Sequence, residues 1–131
     1  MERHLEISGV LLIGLALVHI VFPHYFNWRE ELQGVSLLTR QILHVHTFFI
    51  ALSVLLMGLL CVTSARELTS TPFGRKIALG LFVFWCCRLA VQFLGYSSQL
   101  WKGKAFETTA HVVFSLFWAY LSAVFLLTAL G

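Results

Sequence analysis

One run of residues limits what the rest of this chain can become. From Gln41 to Thr63, QILHVHTFFIALSVLLMGLLCVT carries no formal charge. As a helix rising ~1.5 Å per residue it extends ~34 Å, against a bilayer hydrocarbon core of ~30 Å. A water-soluble domain rarely needs so long an apolar run, so the stretch reads as a transmembrane helix. Two histidines, His44 and His46, lie just inside its first end.

Three more long apolar runs follow: Leu5–Phe26, Arg75–Tyr96 and Thr108–Leu130, the first holding Glu6 and the second Arg75, Lys76 and Arg88. The chain is 59% hydrophobic and 11% charged with a mean hydropathy of +0.85. Globular domains carry about 25% charged residues, so this balance selects the membrane class. The first run does not look like a cleaved leader, because Glu2, Arg3, His4 and Glu6 mix charges at its start and its far end is bulky. The connections are short. Asn27–Arg40 is polar, with Leu32, Val35, Leu37 and Leu38 giving it an amphipathic middle that suits the membrane surface. Ser64–Gly74 is a turn-rich loop punctuated by Pro72 and Gly74, and Ser97–Glu107 carries Trp101, Lys102 and Lys104. Short connections make antiparallel neighbours. The expected fold class is therefore all-α, an integral membrane four-helix up-down-up-down bundle, with residues 1–131 as a single transmembrane domain.

Lysine and arginine mark the cytoplasmic side of a membrane protein. Here they tie, with Arg3, Arg66, Arg75 and Lys76 on the side of the termini and Arg29, Arg40, Lys102 and Lys104 opposite. The Arg75–Lys76 pair, flush against a span, favours cytoplasmic termini, and a bacterial plasma membrane is the expected location.

The polar residues of the spans are unevenly distributed. In the up-down order, His19 and His24 fall towards the end of the first span, and His44 and His46 in the first two turns of the second. Arg88, Gln92 and Tyr96 fall in the last half of the third, and His111 and Ser115 at the start of the fourth. All of them gather in one leaflet. Arg88, Gln92 and Tyr96 share a helical stripe with Trp85, and His111 shares one with Ser115 and with Glu107 a turn earlier. Leu12, Leu15, His19 and Pro23 form one face of the first span. His44 and His46 are ~200° apart, so one of them faces the core and the other a neighbour or a partner. The remaining tryptophans and tyrosines read as interfacial belt residues, and His4 receives no role.

An intramembrane arginine costs ~2.5–3.5 kcal/mol on insertion scales, and ionisable residues at such depth point to function. A b-type haem held by two imidazoles on facing helices is the leading expectation. His44 and His111 lie at matching depth, and Arg88, Arg40 or Lys104 can meet the propionates. In architecture alone this resembles the small four-helix membrane anchors and cytochromes that carry haem b. A transition-metal site (Zn, Cu or Fe) drawn from His19, His44 or His46, and His111 is the second, with Glu107 as an oxygen ligand. An open position on such a metal would permit chemistry on a lipid-soluble substrate. A third is a pocket built on Arg88, Gln92 and Tyr96 for a lipophilic or anionic small molecule, or a proton path. With so few spans, that version implies a homo-oligomer or a larger membrane complex. The fourth is a structural or assembly subunit whose polar groups only fix helix packing. The dispersed +3 charge speaks against nucleic acid. The spans hold no nucleophile arrangement, phosphate loop or acid pair of a hydrolase or nucleotide enzyme. Cys61, Cys86 and Cys87 read as small buried apolar residues.

Overall fold

A computed structural model of the chain describes residues 1–25, 33–94 and 105–131, with the side chains of 20–25 and 107 outside that description. Five helices are described: α1 (Glu2–Tyr25), α2 (Leu37–Thr63), α3 (Ala65–Ser70), α4 (Pro72–Leu94) and α5 (Ala105–Leu130). The described residues are all-helical and contain no strand. Three helices are long and apolar enough to cross a membrane, over Leu37–Thr63, Pro72–Leu94 and Thr108–Leu130. The expected first span, Leu5–Phe26, runs past the described residues.

Local chemistry moves the helix boundaries away from the hydropathy boundaries. α2 begins four residues before the uncharged run because Ser36 caps it. The Ser36 hydroxyl accepts from the Thr39 amide at 3.2 Å, answering one of the backbone donors a helix start leaves open. Arg40 thus falls inside the helix, and His44 lies ~10 Å from its start, about two turns in. The expected Ser64–Gly74 loop is mostly helix. Ser64 ends α2, its amide bonding Leu60 at 2.8 Å, and α3 follows at once. Thr71 then starts α4, its hydroxyl accepting from the Gly74 amide at 2.9 Å, with Pro72 in the first helical position. Proline there loses no hydrogen bond, because that amide has no partner within the helix anyway. A proline read as a loop marker was a helix-start marker.

The chain groups into two compact units: residues 6–65, and residues 1–5 with 66–131. In the first, α1 and α2 run antiparallel and meet backbone to backbone. A β-carbon placed on Gly9 would lie 2.7 Å from the Gly58 carbonyl oxygen and 2.6 Å from Val62 Cγ2. One placed on Gly58 would lie 2.8 Å from the Gly9 carbonyl oxygen and 2.8 Å from Ile13 Cγ1. Apolar side chains gain little from pairing when lipid surrounds them, so close backbone approach through small residues holds such helices together. Buried Leu12 and Ala16 on α1, and Val54 and Cys61 on α2, lie on the same helical faces as these glycines.

In the second unit α4 packs on α5. The buried residues of α4 are Gly74, Ala78, Leu81, Trp85 and Gln92, and half-buried Arg88 completes their three-and-four spacing. On α5 the same spacing joins half-buried His111 to buried Trp118, Leu121, Phe125 and Thr128. This is the seam of a coiled-coil pair. Away from these stripes the long helices expose Phe48, Phe49, Leu56, Val83, Phe93, Val113 and Leu116. Apolar outer faces with polar groups on the seam invert the pattern of a water-soluble bundle and fit lipid.

The Gly9–Gly58 contact has a measurable consequence. Gly58→Ala is expected to destabilise the protein by about 1–3 kcal/mol, because the new methyl meets backbone that cannot rotate away. Gly14→Ala and Gly80→Ala meet nothing within 4 Å and should be neutral or gain up to about 1 kcal/mol from helix propensity. Unfolding in mixed detergent micelles separates the two classes.

Candidate functional site

The polar residues of the α4–α5 seam form one network. Arg88 and Gln92 are a turn apart on α4, and the Arg88 Nη1 donates to Gln92 Oε1 at 3.4 Å. The same oxygen accepts from Trp118 Nε1 of α5 at 3.3 Å. On its other side, Gln92 Nε2 lies 3.2 Å from His111 Nδ1 and donates to the His111 carbonyl at 3.4 Å. Ser115 donates to that carbonyl as well, at 2.7 Å. Gln92, only 6% exposed, is the hub.

Aromatic rings enclose this hub. Trp85 and Trp118 stack with centroids 5.3 Å apart and planes 15° from parallel. The Arg88 guanidinium carbon sits 4.9 Å from the centroid of the Trp118 ring, within the range of a cation–π contact. Phe114 stacks on Trp118 at 5.6 Å, and the edge of Phe93 meets His111 at 5.7 Å. The spacing explains the pairing. Gln92 lies seven residues after Trp85, and His111 seven before Trp118, so two antiparallel helices place like with like two turns apart. Trp85 is 2% exposed, and its ring N–H has no hydrogen-bond partner among the described residues.

The other expected site residues lie elsewhere. His19, half-buried on α1, holds its Nδ1 2.8 Å from the Leu15 carbonyl. His46 repeats this on α2, with Nδ1 2.8 Å from the Ile42 carbonyl. His44 and His46 are both exposed, so the expectation that one of them turns inward does not hold for the chain by itself. Tyr96 and the Glu107 side chain fall outside the described residues. Among the described residues, no three His, Cys, Asp or Glu side chains come together as a metal-binding group.

Sequence reading missed one member of the network. Trp118 is buried, not a belt residue, and Trp85, expected on the Arg88 stripe, is buried as well. Trp118 was findable, because it stands two turns beyond His111 on the same stripe as Ser115. His4, which received no role, places its Nδ1 3.1 Å from the Tyr120 hydroxyl and ties the start of α1 to α5. Cys86 and Cys87 are exposed, and only Cys61 is buried.

The chain matches no family model, no curated protein and no solved structure.

Gln92→Leu keeps the volume of the hub and removes its polarity. Trp118 Nε1 loses the acceptor described above, and an unanswered buried donor costs about 1–3 kcal/mol. The variant is expected to unfold that much more readily. Trp118→Phe removes the donor but also part of the ring that Trp85 and Arg88 meet, and should cost about 1–3 kcal/mol in the same assay.

Proposed function

We propose that this chain is a multi-pass integral membrane protein in which Leu5–Phe26 adds a fourth span, giving a four-helix up-down-up-down bundle. Its function, on this reading, is to bind at the α4–α5 seam a lipophilic molecule that offers an acceptor oxygen, a carboxylate or a quinone-type carbonyl. The observation that carries the reading is Arg88 at a seam position. Its guanidinium is turned onto Gln92 and the Trp118 ring, which itself stacks on Trp85.

Energetics support binding over mere adhesion. Interhelical hydrogen bonds in membranes average ~0.6 kcal/mol, and a desolvated cation–π contact is worth about 2 kcal/mol. These are of the same size as the ~2.5–3.5 kcal/mol cost of inserting arginine. A leucine at position 88 would hold the seam without any such cost, and replacing buried charges by apolar side chains is often neutral or stabilising. A cation beside flat rings instead suits a ligand with an electron-rich oxygen on an apolar body.

Titration of the protein in lipid nanodiscs with a short-chain benzoquinone, and separately with decanoate, tests this by calorimetry. One of the two is expected to bind. Arg88→Leu should weaken that binding at least tenfold, because a hydrogen bond to a charged group is worth about 1.5–3 kcal/mol, while membrane insertion is retained. Binding unchanged in Arg88→Leu, or absent for both probes in the native protein, would overturn the reading.

A second reading has its own observation. In His19 and His46 the Nδ1 faces a carbonyl that can only accept, so Nδ1 carries the proton and Nε2 keeps the lone pair. That is the arrangement of a metal-ligating imidazole, and the two residues belong to the same compact unit. It favours haem b or a transition metal held there. An absorption spectrum of the purified protein, with and without dithionite, would then show a Soret band that is lost in His46→Ala.

A further inference from the structure

We infer that Gln92 is a positioning residue: it holds the neutral His111 ring in the tautomer with the proton on Nε2, so that His111 offers the site a hydrogen-bond donor and not a metal-ligating lone pair. The functional consequence rests on the seam-site reading above. The tautomer itself does not.

The orientation of the Gln92 amide is decided by its neighbours. Arg88 Nη1 and Trp118 Nε1 can only donate, and both lie against the same atom, which must be the carbonyl oxygen. The NH2 group then faces α5, where it meets the backbone carbonyl of His111, an atom that can only accept. Three obligatory partners on two sides of one amide leave no consistent flipped assignment. His111 Nδ1 stands 3.2 Å from that same NH2 group. A protonated Nδ1 would set donor against donor, so Nδ1 holds the lone pair. In the neutral ring the proton is on Nε2.

The chain thus keeps two kinds of histidine. In His19 and His46 the Nδ1–H donates to a backbone carbonyl one turn back, which leaves Nε2 as the acceptor of the neutral ring. In His111 a side-chain amide from the neighbouring helix reverses the ring. Whatever meets His111 Nε2, from this chain or from a ligand, must offer an acceptor. A carboxylate or a quinone carbonyl does so; haem iron or a zinc ion, which needs the nitrogen lone pair, does not. With the Arg88 guanidinium a turn from Gln92, the seam is set to read an acceptor oxygen, and Gln92 is the residue that makes the site selective.

Gln92→Glu exposes the lock, because it replaces the NH2 by a second acceptor of nearly the same shape. One carboxylate oxygen continues to accept from Arg88 and Trp118. The other draws the His111 proton to Nδ1 and frees the Nε2 lone pair. Nitrogen-15 NMR of histidine-labelled protein at mildly alkaline pH reads this directly, with His111 assigned by its loss in His111→Asn. In the native protein His111 is expected as the Nε2–H form, with His19 and His46 as Nδ1–H forms in the same spectrum. In Gln92→Glu the His111 signal is expected to move to the Nδ1–H form. Haemin titration gives a second readout: Gln92→Glu should bind it roughly tenfold tighter than the native protein, the scale of effects from partners that orient a ligating imidazole. The gain should disappear in the Gln92→Glu, His111→Asn double variant.

A native His111 with Nδ1 protonated overturns the inference, and so does a Gln92→Glu protein whose His111 tautomer is unchanged. Should that variant fail to fold, the native spectrum still decides. If His111 shows the Nε2–H form while neither benzoquinone nor decanoate binds, the lock stands and the seam-site reading falls.

Discussion

Inside a membrane a polar group has no water to fall back on, and every donor or acceptor must be answered by the protein or by what it binds. Gln92 is where this constraint is concentrated. Its amide joins a cation on its own helix to an indole and an imidazole on the next, and it is nearly inaccessible. Take away that amide and the polar members of the seam lose their common partner. The arrangement is also directional, since obligatory donors lie on one side and an obligatory acceptor on the other.

The two helix pairs solve the adhesion problem differently. α1 and α2 dispense with side chains at their closest point and let glycine backbones touch. α4 and α5 keep large flat rings between them, Trp85 on Trp118 with Phe114 beyond, and bridge the remaining gap with hydrogen bonds. The first solution leaves no room for a guest. The second surrounds polar atoms with apolar rings. That contrast, more than the number of polar residues, is why the proposed site is on the second pair.

Much of the site was legible before any coordinates. Arg88 and Gln92 at a four-residue interval had to share a stripe, and the antiparallel order of the helices brought His111 to the same level. Trp118 escaped because tryptophan near a membrane is so often interfacial, although its seven-residue offset from His111 marked it as a seam residue. His44 and His46 were expected to divide between the core and a neighbour, and both are exposed. Position along a helix can be read from sequence, but the direction a side chain takes around that helix depends on which neighbour arrives. The boundaries of α2 and α4 were misplaced for a simpler reason. Hydropathy tracks lipid, whereas a helix starts where Ser36 or Thr71 can cap it.

The sequence by itself determined that this chain is helical and apolar enough to cross a bilayer, because the length of an uncharged run is a one-dimensional quantity that the hydrocarbon thickness tests directly. It also determined which residues are costly in lipid. Only the tertiary structure decided how those residues are answered: that one amide oxygen serves both Arg88 and Trp118, that the NH2 beside it faces His111, and that His19 and His46 turn to their own backbones instead. Hydrogen bonds are short-ranged and directional, so their pairing is settled by ångström-scale contact between helices, which no periodicity in the chain records.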